Sequence, residues 1–229
     1  MAATAGKRVK ERYGPEPDQY IEHYVPEQVH HPGTVLIIHG GFWRPEYDAS
    51  IGRPLAEDLA ERGYTAVNLE YRRSDWESMA ADVLAGVASL TGDVVAVGHS
   101  AGGQLAVYAA QYGRLAGVVA QAGVLDLATA ARDRVGGRSV LRLMGGTPEE
   151  VPEHYAKADP IGMTPRVPVV CVHSRTDQLV PFAQSEAYSA KTGARLIEVP
   201  GDHFAHLQPD SPAWAAVLDV LPELLSRRS

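Results

Sequence analysis

Three side chains in this sequence have the types and the order that nucleophilic catalysis needs: Ser100, Asp177 and His203. A serine hydroxyl is a weak nucleophile at neutral pH. It needs a base within hydrogen-bond reach, commonly a histidine that a carboxylate holds in one tautomer. Ser100 stands in Gly98-His99-Ser100-Ala101-Gly102, a G-x-S-x-G pattern with an apolar run before it and a helix-forming run after it. That order suits a sharp strand-to-helix turn that lifts the hydroxyl clear of a sheet edge, and the glycines let neighbouring backbone come close.

The acid candidate is Asp177, in His173-Ser174-Arg175-Thr176-Asp177, and the base candidate is His203, in Pro200-Gly201-Asp202-His203-Phe204. Their order after the serine is the one expected with such a turn. His206 competes with His203, but a loop position close after Gly201 has more freedom to swing a ring over Ser100. Asp202 competes with Asp177, but adjacent loop residues seldom present their side chains to each other in line.

Acyl transfer also puts negative charge on the former carbonyl oxygen, so preorganised N–H donors are needed there. His39-Gly40-Gly41-Phe42 follows an apolar run, and the N–H groups of Gly41, Phe42 and Ala101 are the candidate donors of an oxyanion hole. His39 is expected to brace that loop and His99 to pack beside Ser100. Phe42, Trp43 and Tyr47 are as well suited to wall a substrate pocket as to fill core; Trp43 and Tyr47 are carried forward as pocket residues. His173, Asp177, Asp202 and His203 could in composition bind a metal, but no tight pair such as H-x-x-x-H joins them, so no metal and no other cofactor is expected.

Elements to position these groups are legible from periodicity. Strands are expected at Ile21–Val25, Thr34–Ile38, Tyr64–Leu69, Val94–Val97, Gly117–Gln121, Pro168–Val172 and Arg195–Val199. Helices are expected at about 51–62, at 76–90 with Asp75 as cap, after Ser100, at 183–190 and at 213–225. Residues up to about Pro17 should be loop-like, with Lys7–Arg12 a solvated arm. Between Asp126 and Pro168, paired glycines and prolines point to short helices and loops inserted over one end of the sheet. Strands alternating with helices imply a mostly parallel sheet covered on both faces, with its site at the carboxyl ends of the strands.

Composition narrows the field further. The 229 residues suit one domain rather than two, and a formal charge of −7 argues against nucleic acid or an anionic membrane as partner. No apolar run approaches the length of a membrane helix, and Met1–Gly6 lacks the apolar core of a signal peptide. One cysteine, Cys171, sits in an apolar run and reads as a buried structural thiol. A cytoplasmic location and a small-molecule partner are expected, with a homodimer allowed.

With these stretches placed, the chain resembles the α/β-hydrolase superfamily over nearly its whole length. His39-Gly40-Gly41-Phe42-Trp43, Gly98–Gly103, Gly123–Leu127 and Leu143–Thr147 are similar to the kynurenine formamidase (arylformamidase) and small carboxylesterase branch. The resemblance implies Ser100, Asp177 and His203 as the triad. Ser174 departs from the usual glycine there, and the stretch from Tyr71 to Val94 is short. The expected activity is cofactor-free hydrolysis of small esters or aryl formamides through an acyl-enzyme at Ser100. The rivals are a silent binding protein of the same fold and a small peptidase or amidase.

Overall fold

A computed structural model describes residues 7–226. The reading of Met1–Gly6 lies outside the described residues. Eight strands form one sheet: β1 (Lys7–Arg12), β2 (Tyr20–Val25), β3 (Thr34–Ile38), β4 (Thr65–Glu70), β5 (Val94–His99), β6 (Gly117–Gln121), β7 (Val169–His173) and β8 (Arg195–Glu198). Their spatial order is β1-β2-β4-β3-β5-β6-β7-β8. From β4 to β8 every pairing is parallel, while β1–β2 and β2–β4 are antiparallel.

The central strands are near-continuous apolar runs because both faces are covered. Leu36 and Ile38 of β3 join one core with Met79 and Val83 of α2 (Trp76–Ala88), Leu105 of α3 (Ala101–Tyr112) and Tyr188 of α7 (Ala183–Thr192). Val35 and Ile37 face the other core, with Leu55 and Leu59 of α1 (Arg53–Glu61) and Trp214, Val217 and Leu221 of α8 (Pro212–Ser226). The expected stretch 126–168 holds three short helices, α4 (Leu127–Arg132), α5 (Ser139–Met144) and α6 (Pro152–Ala158). Asp75 caps α2 by accepting from the Ser78 N–H, and Asp126 caps α4 through the Thr129 N–H.

Two expectations need correction. Lys7–Arg12 is not a free arm but an edge strand, paired from Lys7↔Val25 to Arg12↔Tyr20 with all six residues exposed. Its single apolar residue leaves no alternation to read, and a charged edge is how sheets avoid pairing with other chains. The helix expected from Ile51 starts instead at Arg53, after a 3-10 turn at Ala49–Ile51, with Pro54 in its first turn.

Candidate active site

β5 runs straight into α3, and Ser100 between them has φ 57° and ψ −119°. Such a backbone is rare for a residue with a Cβ and costs about 1–3 kcal/mol. Its surroundings enforce it. A Cβ on Gly98 would lie 2.1 Å from the Gly102 carbonyl oxygen, and one on Gly102 would lie 2.1 Å from the Ile38 carbonyl oxygen. Both contacts are to backbone, which cannot yield as a side chain can. The Ser100 N–H donates to the Gln121 carbonyl at 2.8 Å, tying the turn to β6. Among the described residues, the Ser100 hydroxyl has no hydrogen-bond partner.

The loop after β7 delivers Asp177. One carboxylate oxygen accepts from the N–H groups of Leu179 (2.8 Å) and Val180 (2.9 Å), and the other accepts from His203 Nδ1 at 2.6 Å. Burial works against the charged form, but the hydrogen bonds from His173, His203 and the Val180 N–H outweigh it and hold the carboxyl well below its ordinary range. His173 Nε2 is 3.3 Å from the same oxygen as His203. It also donates to the Val180 carbonyl at 3.0 Å, and its Nδ1 accepts from the Ser185 hydroxyl at 2.8 Å, so its ring braces the acid loop.

His203 follows β8, and with Nδ1–H committed to Asp177 its Nε2 carries the lone pair. Three contacts hold its loop. His99 Nε2 donates to the His203 carbonyl at 3.0 Å, so the residue before Ser100 grips the backbone of the candidate base, and their rings lie 4.6 Å apart. Asp202 turns away to cap the Phe204 and Ala205 N–H groups. Thr176 donates to the Gly201 carbonyl at 2.7 Å, and Ser174 donates to the same oxygen. His206, the other histidine considered, is fully buried with neither ring nitrogen hydrogen-bonded. Burial, followed by the charges of His173 and His203, pushes it down to about 3.

The loop after β3 lies against the turn at Ser100. A Cβ on Gly40 would meet the Ser100 Cβ at 3.0 Å and the His99 carbonyl oxygen at 2.7 Å. Gly41, Phe42 and Trp43 follow with φ values of 111°, 55° and 55°. Among the described residues, the N–H groups of Gly41, Phe42 and Ala101 donate no hydrogen bond, which leaves them free for an incoming oxygen. His39 braces this loop from below: its ring stacks on Tyr71 at 4.5 Å and its Nε2 lies 3.3 Å from Glu70, while the Tyr71 hydroxyl donates to the His39 carbonyl at 2.7 Å.

Trp43 is buried and donates from Nε1 to Gln104 at 3.1 Å, and Gln104 donates onward to the Ala158 carbonyl at 2.9 Å. The same indole lines a cleft of about 520 Å³ between the β3 loop and α5. Tyr47 does not line that cleft; it is 38% exposed and its ring covers Gly41, where a Cβ would lie 2.3 Å from the Tyr47 Cβ. Gln104, Glu70 and Thr176 were not singled out in the sequence. A glutamine among the apolar positions of α3 was a usable signal; the other two become partners only across long sequence separations. Of the four residues considered as metal ligands, His173 and His203 both bond to Asp177 and Asp202 caps a turn, and no group of three among the described residues is arranged to hold a metal ion.

Sheet order, the strained serine between β5 and α3, and the acid and histidine after β7 and β8 define an α/β-hydrolase fold. A family model described as BD-FAE matches residues 21–192, and the chain belongs to that family. The match ends before His203. No curated protein matches the chain. Among solved structures, a truncated carbohydrate esterase from gut microbiota superposes with TM-score 0.81 at 18% identity, covering 99% of each chain. Esterase B from Lactobacillus rhamnosis HN001 gives 0.75 at 18% identity, over 95% of this chain and 85% of the other. Carboxyl esterase 2 from the mycorrhizal fungus Tuber melanosporum gives 0.73 at 14%, over 98% and 86%. At such identities the likeness establishes the fold. Among the described residues no helix is long and apolar enough to cross a membrane.

Proposed function

We propose that the protein is a serine hydrolase that cleaves small carboxylic esters through an acyl-enzyme at Ser100. The observation that carries this reading is the 2.6 Å hydrogen bond from His203 to a buried, ionised Asp177, on a loop gripped by the residue next to a strained serine. His203 Nε2 takes the Ser100 proton as Oγ bonds to the substrate carbonyl carbon, and Asp177 stabilises the imidazolium that forms. The N–H groups of Gly41, Phe42 and Ala101 receive the oxyanion, each donor being worth about 2.7–4 kcal/mol in comparable sites. His203 then returns the proton to the leaving oxygen, and water repeats the cycle to release the acid.

Relatives in fold support ester chemistry: esterase B from Lactobacillus rhamnosis was also captured with a tributyrin phosphonate inhibitor. The His39-Gly40-Gly41-Phe42-Trp43 loop supports an aryl formamide as the second substrate class. Steady-state hydrolysis of p-nitrophenyl acetate and N-formylkynurenine, side by side for parent and Ser100→Ala, separates the readings. Ester turnover that disappears in the variant supports the esterase; a kcat/KM strongly favouring the formamide replaces it with a formamidase. A folded parent that turns over neither compound overturns both.

A further inference from the structure

The candidate oxyanion donor Gly41 belongs to a peptide bond between two glycines, the kind of peptide that turns over most easily. A Cβ on Gly40 would collide with the His99 carbonyl oxygen and crowd the Ser100 Cβ, and Gly41 has φ 111°. Both positions therefore call for glycine. The same freedom lets the peptide between them rotate about its flanking bonds and carry the Gly41 N–H away from the substrate. A trans peptide is planar, with its C=O and its N–H pointing to opposite sides. Whatever holds the Gly40 carbonyl therefore aims the Gly41 N–H.

His39 supplies that hold. Its Nδ1 lies 2.8 Å from the Gly40 carbonyl oxygen, and its Nε2 faces Glu70 at 3.3 Å. A carbonyl oxygen can only accept, so the shorter contact requires a proton on Nδ1. Glu70 fixes the far end of the ring and is itself fixed: it is buried, and its two oxygens accept from the N–H groups of Tyr71 at 2.9 Å and Ala49 at 2.7 Å. Direction follows from strand order. β4, which ends in Glu70, lies on one side of β3, and β5, which leads into Ser100, lies on the other. The ring draws the Gly40 carbonyl toward the β4 side, which leaves the Gly41 N–H facing the β5 side and Ser100. We propose that His39 is a positioning residue for ester cleavage: by donating from Nδ1 to the Gly40 carbonyl, it aims the Gly41 N–H at the oxygen of the substrate carbonyl that Ser100 attacks. The proposal rests on the hydrolase reading above.

The test uses two amides that each keep one end of the imidazole. His39→Asn puts a side-chain N–H donor where Nδ1 stood, and His39→Gln puts one where Nε2 stood. Both are assayed on p-nitrophenyl acetate with protein that unfolds cooperatively. His39→Gln should lower kcat by about a hundredfold with KM little changed, because an oxyanion donor acts in the transition state and one is worth about that much. His39→Asn should keep most of the parent's kcat. A ring that only fills space would be replaced equally well or equally badly by either amide, so equal kcat values in the two variants overturn the proposal, as does a rise in KM at constant kcat in His39→Gln. The 15N spectrum of the parent's histidine rings needs neither a variant nor turnover. A proton on His39 Nδ1 is expected, and a ring protonated on Nε2 alone overturns the proposal. A protonated Nδ1 in a parent that hydrolyses no ester keeps the hold on the Gly40–Gly41 peptide and removes the hydrolase reading, so the two fail separately.

Discussion

Ser100 concentrates the chemistry and the strain at one residue. Ser100→Ala should lower kcat by several powers of ten, about 10⁶ where such a nucleophile has been removed elsewhere, as measured on p-nitrophenyl acetate. Its backbone gives a second prediction, independent of activity. Glycine adopts φ 57° freely whereas alanine does not. Release of about 1–3 kcal/mol of strain should exceed the roughly 0.4–1 kcal/mol that glycine loses through the unfolded chain. Ser100→Gly should then unfold at higher denaturant than Ser100→Ala; equal midpoints would mean the turn stores no strain. His206 makes a prediction about pH. Its folded pKa is about 3, whereas the unfolded chain binds that proton near 6.5, so its contribution is complete above pH 6.5 and is lost as pH falls toward 3. The slope is at most about 1.4 kcal/mol per pH unit. His206→Leu should flatten it, measured by denaturation at pH 7, 5.5 and 4.5. Asp159, pushed up to about 6 by burial, acts in the opposite sense over part of that range, so the informative quantity is the difference between variant and parent.

At the scale of elements, the site depends on loops holding each other. The acid loop after β7 and the histidine loop after β8 meet twice, at the Asp177–His203 bond and at the Gly201 carbonyl, which accepts from both Ser174 and Thr176. Removing both hydroxyls loosens the second tie and leaves the first. Ser174→Ala with Thr176→Val should therefore reduce kcat by about tenfold, the equivalent of one net hydrogen bond, with KM little changed. A rise in KM at constant kcat would show that these hydroxyls shape binding instead. The turn at Ser100 is less forgiving. Gly102→Ala puts a Cβ 2.1 Å from the Ile38 carbonyl oxygen, so β3 or α3 must shift. Loss of soluble, cooperatively unfolding protein, or a fall of several kcal/mol in stability, is the expected outcome by urea denaturation.

The whole molecule is a sheet held between two apolar layers, and the layer away from the insertion is closed by α8. Leu221 and Trp214 are fully buried there, and Trp214 Nε1 donates to Asp58 of α1 at 2.6 Å, tying the last helix to the first. Leu221→Ala should cost about 2–5 kcal/mol through lost burial and a residual cavity. Turnover at 25 °C should be near the parent's while enough protein stays folded, because the site lies at the strand ends and not in this layer. A proportionate loss of kcat without loss of stability would instead couple this layer to the site.

The sequence by itself determined what is local and periodic. Thr34–Ile38, Gly117–Gln121 and the Asp75 cap were readable because a run of β-branched residues, or a capping carboxylate before an amphipathic stretch, has few alternatives. The order of Ser100, Asp177 and His203 was readable because each follows a strand of a parallel sheet, whose carboxyl ends all gather at one edge. Tertiary structure decided what depends on partners distant in the chain. Lys7–Arg12 becomes a strand only because β2 offers it hydrogen bonds. Asp202 and His206, already the less favoured candidates in the sequence, are given other places by the fold, one capping a turn and the other buried with neither ring nitrogen hydrogen-bonded. Trp43 serves core and cleft at once because Gln104 lies opposite it, 61 residues along the chain. Such partnerships are contacts in space that no spacing in the sequence encodes.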